Sequence, residues 1–108
     1  MIVVTTEEVT GHRIVAMKGQ VFGLVVRSRG LGGNIMATLR SLGGGEIIEY
    51  TQLLEDARRH AVDRMVQNAT AMGANAVIRM QYDSSEIGTT MSEIVAYGTA
   101  AVIEPVRS

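Results

Sequence analysis

Apolar positions in the second half of the chain repeat first with a helical period and then with the two-residue period of a strand. Tyr50, Leu54, Ala57, Ala61, Met65, Ala69 and Met72 are spaced 4, 3, 4, 4, 4 and 3 apart, which is one face of an α-helix. The pattern predicts a helix over residues 46–72, roughly 40 Å long at the standard rise. On its polar side Glu55 with Arg59 and Arg59 with Asp63 are i,i+4 pairs, and Gly73 supplies a left-handed C-cap. Ala74, Ala76, Ile78, Met80 and Tyr82 then alternate with Asn75, Val77, Arg79, Gln81 and Asp83, as in a strand. Residues 84–90 read as a polar turn. Residues 91–104 form a last strand with Ile94, Ala96, Ala100 and Val102 on one face and Val95, Tyr97, Ala101 and Ile103 on the other, and Pro105 ends it.

The first half is less regular. Residues 2–5 are a short β-branched run followed by the polar break of Thr6, Glu7, Glu8, Thr10 and Gly11. From Arg13 to Arg27 the intervening residues 14–26 are nearly all apolar apart from Lys18, Gly19, Gln20 and Gly23, which fits either one long bent strand or a hairpin around residues 18–20. A glycine-rich loop over 28–33 delivers Asn34 as the N-cap of a short helix over 35–42, which the glycines at 43–45 stop.

The strand over 91–104 carries the main inference. A small α+β protein covers one sheet face with helix and leaves the other to water, yet both faces of this strand are apolar. Val95, Tyr97, Ala101 and Ile103, or their counterparts on the opposite face, need a second cover. The short helix offers one if it folds under the sheet; another subunit is the more economical one, because an exposed apolar patch of a few hundred Å² is a liability. Val95, Tyr97, Ala101 and Ile103 are therefore the interface candidates.

Composition narrows the function classes. The 108 residues make one small domain over 1–108. Ten basic against eleven acidic side chains give a net charge of -1, without the basic excess of a nucleic-acid binder. No apolar run reaches the length of a membrane span, and the acidic start lacks the features of a secretory signal, so a cytoplasmic location is expected. The absence of cysteine excludes disulfides, thiolate nucleophiles and thiolate metal ligands.

The segments VRSRGLGGNIMATLRSLGGGEIIEYTQLLEDAR (26–58), GANAVIRMQYDSSEI (73–87) and MSEIVAYGTAAVIEP (91–105) resemble the YbjQ-like family, small prokaryotic proteins whose label refers to heavy-metal binding. The similarity runs over nearly the whole chain. It implies a two-layer α+β fold, with an antiparallel sheet packed on one long helix plus a short helix, and a ring-shaped homo-oligomer, most simply a homopentamer. It implies no activity, and no family motif transfers metal ligands onto this sequence.

Candidate chemistry is sparse. Thiophilic ions want thiolates or clustered thioethers, and the seven methionines include no M-x-x-M pair, which suits core filling better. His12 and His60 have no partner at metal spacing; Asp56 and Asp63 flank His60 on the long helix, but solvated charge pairing explains them better. Glu46 and Glu49 are a weak candidate pair for a hard cation, and also simply suit a helix N-terminus. Arg27, Arg29, Gly32 and Gly33 lead into a helix start and form the anion-binding candidate, without either standard phosphate-loop spacing. No catalytic constellation stands out, the loop carboxylates Asp83 and Glu86 with Ser84 and Ser85 included. The expected function is thus a ring-forming module that binds a small ligand, anion or metal ion of unknown identity, with a protein-interaction scaffold as the alternative and an enzyme behind both. The expected partner is a further copy of the chain, with neither nucleic acid nor membrane.

Overall fold

The computed structural model describes residues 1–28, 48–87 and 91–107. Their elements, in chain order, are β1 (Ile2–Val3), β2 (His12–Ser28), α1 (Ile48–Ala71), β3 (Ala76–Ile87) and β4 (Met91–Pro105). The four strands form one sheet in the order β1-β3-β4-β2. Pairing is antiparallel between β2 and β4 and between β3 and β4, but β1 runs parallel to β3. The sheet is therefore mixed rather than antiparallel throughout. Residues 4–6 continue this edge: Val4 donates to the Val77 carbonyl (2.9 Å), Met80 to that of Val4 (2.9 Å) and Arg79 to that of Thr6 (3.0 Å).

Between the two readings of residues 13–27, the structure takes the single bent strand. Irregular register between Ile14 and Ala16 and between Met17 and Gly19 bends it, with Gly19 at φ +106°. A bulge in β3 is the counterpart: Arg79 adopts φ +54° between Ile78 and Gln81, and Gly98 of β4 lies against it. Beyond the bulge β3 stays paired to Ile87, so residues 84–87 are strand, not turn. Their polarity misleads because this stretch is exposed.

The long helix falls within the predicted span. Ala57, Ala61, Met65 and Ala69 are buried on Val21, Val25, Val77, Ile94, Ala96 and Ala100 of the sheet. Gly73 has φ +83°, with Ala74 N–H bonded to Ala69 O and Gly73 N–H to Thr70 O, both 3.0 Å, which is the Schellman arrangement. Arg59 approaches Glu55 (3.7 Å) and Asp56 (4.0 Å) on the exposed side. A stripe one turn apart on α1 reaches the outer edge of β2: His60 meets Arg27, Arg64 donates to Leu24 O (2.6 Å), and Asn68 donates to Phe22 O (2.8 Å).

The two-sided apolar pattern of β4 has a specific origin. Ile94, Ala96 and Ala100 are buried beneath the helix. Ala101 and Ile103 are also buried, but outside that cluster. They lie on the opposite face with Ala76 and Ile14 as cross-strand partners, and Glu8, Val9 and His12 gather around Ile103. The helix thus covers one face, and the chain between β1 and β2 covers one end of the other. Of the four interface candidates, Ala101 and Ile103 are consumed within the chain, and Val95 and Tyr97 remain partly exposed. The short helix over 35–42 lies outside the described residues.

Candidate functional site

Beyond the reach of residues 4–11, no described element covers the face of the sheet away from α1. Along β2, Val21, Gly23 and Val25 are buried under the helix while Phe22, Leu24 and Val26 alternate with them and are exposed. Phe22 is opposite Tyr97, and Leu24 is opposite Val95, and directly opposed residues share a face. The result is an apolar field of Phe22, Leu24, Val26, Val95 and Tyr97. On β3, Gln81 and Asp83 border it as the partners of Tyr97 and Val95, and Tyr97 Oη donates to Gln81 Oε1 (2.9 Å). Phe22 is 53% exposed, which is unusual for a phenylalanine in a sheet packed on a helix.

Of the anion candidates, only Arg27 is described; Arg29, Gly32 and Gly33 lie outside the described residues, as does Glu46. Glu49 lies in the first turn of α1. Arg27 is turned to the helix, and its Nη2 is 2.8 Å from His60 Nδ1. A guanidinium can only donate, so this contact requires a neutral imidazole with its proton on Nε2. Arg27 Nε is buried without a hydrogen-bond partner. His12 Nδ1 is engaged with Thr10 O at 3.1 Å, and His12 and His60 lie toward opposite ends of β2, separated by a strand length of roughly 50 Å.

Among the described residues no three His, Cys, Asp or Glu side chains come together. The methionines do not compensate: Met65 is fully buried, and Met72 and Met80 pack against the core. Sequence reasoning missed an open cavity of about 670 Å³ lined by Arg13, Glu104, Pro105, Val106 and Arg107. Its polar centre is an ion pair between Arg13 and Glu104, directly opposed across β2 and β4; only the register reveals it. A second ion pair joins Arg79 at the bulge to Glu7. No helix among the described residues is long and apolar enough to cross a membrane.

Comparisons with known proteins cover nearly the full chain. The YbjQ family model, described as "Putative heavy-metal-binding", matches residues 1–104. A UPF0145 protein of Bradyrhizobium sp. (strain ORS 278) is 74% identical over 107 residues, covering 99% of this chain and 96% of that protein. A UPF0145 protein of the archaeon Picrophilus torridus is 57% identical over 108 residues, covering 100% and 92%. The crystal structure of a DUF74 family protein of unknown function from Pediococcus pentosaceus superposes with a TM-score of 0.63 at 16% identity, over 96% of this chain and 98% of that one. This last likeness is one of fold.

Proposed function

The chain belongs to the YbjQ family, and from that premise we propose that it works as a ring-forming homo-oligomer, a pentamer, whose ligand site is made where chains meet. The observation that carries this reading is the apolar field on the sheet, of which Phe22, Leu24 and Val26 are exposed and Val95 and Tyr97 partly exposed. Static light scattering at micromolar concentration is expected to return several times the 11.6 kDa chain mass; a stable monomer overturns the reading.

The donor set among the described residues does not fit a heavy metal. Thiolates are absent from the sequence, and among the described residues no three His, Asp or Glu side chains come together. Soft ions are therefore expected to leave the melting temperature unchanged when Cd(II), Hg(II) or Cu(I) is titrated against the purified protein. A ligand at a hundred times its Kd adds about 2.7 kcal/mol, a shift that thermal denaturation resolves easily. A stoichiometric shift with any of the three ions would show that donors from several subunits converge.

A further inference from the structure

The cavity where β2 begins and β4 ends carries an excess of positive charge. Its walls are Arg13, Glu104, Pro105, Val106 and Arg107, so two guanidiniums face one carboxylate in a chain whose net charge is -1. Elsewhere the described arginines in ion pairs are matched or outnumbered by acids: Arg59 approaches both Glu55 and Asp56, and Arg79 is paired with Glu7. Among the described residues Arg107 has no ionic partner.

The fold holds these groups in place. Arg13 and Glu104 are directly opposed across β2 and β4, and both contacts of Arg13, from Nε and Nη2, go to Oε1 of Glu104. A guanidinium has five donors, so the pair orients Arg13 and leaves donors over. Gly11, at φ +78°, accepts from the Val106 N–H (2.9 Å) and so fixes the residue before Arg107. The helix leaves this end open. Glu104 alternates with Ile103, which lies on the face away from α1, and therefore stands on the helix side. Yet α1 has ended here: a methyl group on its capping Gly73 would lie 3.9 Å from Lys18 Cε, and residues 12–17 of β2 run on past it. The hollow that results measures about 670 Å³, within the roughly 300–1,000 Å³ of small-molecule sites. An excess of one charge sign in a cleft focuses the field and concentrates ions of the other sign.

We propose that this hollow binds a small organic oxyanion, a carboxylate or a phosphate ester, with its oxygens between Arg13 and Arg107 and its apolar body against Pro105 and Val106. The guanidinium fork matches the oxygens of either group. Glu104 both orients Arg13 and competes for it, so the ligand binds against a rival carboxylate. The site lies within one chain and does not depend on how chains associate.

Isothermal titration calorimetry of the full chain tests it, with butyrate and phenyl phosphate as probes and butyramide as the uncharged control. At least one anion is expected to saturate with a Kd of about 1 mM or tighter, and butyramide to give no binding heat; the tighter of the two anions identifies the group the site prefers. Arg13→Gln and Arg107→Gln are each expected to weaken that anion at least about tenfold, and Arg79→Gln to leave it unchanged. Glu104→Gln is expected to tighten it, because the rival charge is gone while the side chain keeps its shape; a purely structural role for the ion pair would not do this. Each variant is expected to keep the parent far-ultraviolet circular dichroism spectrum, since an exposed ion pair contributes little to stability. The proposal falls if neither anion saturates by about 10 mM, or if Arg79→Gln weakens binding as much as Arg107→Gln, which is what diffuse surface charge would do. It falls equally if Glu104→Gln fails to tighten binding.

Discussion

Gly23→Ala is expected to destabilise the protein by at least about 3 kcal/mol, at or beyond the upper end of ordinary overpacking. A methyl group at position 23 would lie 2.1 Å from the carbonyl oxygen of Ala61 and 2.3 Å from the backbone nitrogen of Met65. Neither neighbour is a side chain that can rotate away; both belong to the middle of α1. Relief requires the helix to rise from the sheet, and a gap of 0.5–1 Å already forfeits about a quarter to a half of each dispersion contact beneath it. Those contacts include Ala57, Ala61, Met65 and Ala69 on Val21 and Val25. Gly11→Ala is the control. Gly11 has φ +78°, and a methyl group there would meet no atom within 4 Å, so that change costs only the local backbone preference, about 1–2 kcal/mol. Urea denaturation at one fixed chain concentration compares them; equal losses would mean that the helix is not seated directly on Gly23.

Met65→Ala is expected to cost about 3–5 kcal/mol, the upper part of the range for emptying a buried long side chain. Met65 is fully buried at the centre of the helix–sheet contact. What places it high in the range is its surroundings: six members of the buried cluster are alanines, at positions 57, 61, 69, 74, 96 and 100. An alanine methyl is fixed by its backbone and has no rotamer that swings into a void, so the site collapses poorly. Each kcal/mol lowers the melting temperature by about 4–8 °C in a domain of this size. Met17→Ala removes the same atoms from a side chain that is 59% exposed, and is expected to change stability by about 0.5 kcal/mol or less. Similar melting temperatures for the two variants would contradict the burial of Met65.

The spacing of Ala57, Ala61, Met65 and Ala69 was sufficient to find the helix and the face it buries, because helical periodicity is a local property. Gly73 announced its end for the same reason. The two-sided pattern over 91–104 was also visible, but what covers each side depends on strand order, and strand order is settled by pairings tens of residues apart. Ile14 opposite Ile103 and Arg13 opposite Glu104 are of this kind. Gly23 could be read as an interruption in a strand; that a helix backbone rests on it requires knowing where residues 61–65 go. The bulge at Arg79 carries no signal at all, since arginine is not a residue that prefers a positive φ. For the candidate site, the loop sequence names Arg27 but not its described partner His60, 33 positions away, because that contact depends on where α1 lies against β2. Phe22, Leu24 and Val26 were concealed in a run where every residue looks fit for a core.

The contacts of Arg64 and Asn68 with the carbonyls of Leu24 and Phe22 bear on how open the margin of the sheet is to a foreign strand. β2 is 17 residues long and forms one margin of the sheet, and a long bare margin is a template on which a foreign strand can zip its backbone. Here two successive outward acceptors are occupied from the side by a helix, and an incoming strand would have to displace a guanidinium and an amide to reach them. Stickiness is thereby moved from the backbone, which recognises any extended peptide, to side chains, which recognise a shape. Growth by backbone zippering has no natural stopping point, whereas contact between shaped surfaces ends when every surface is filled.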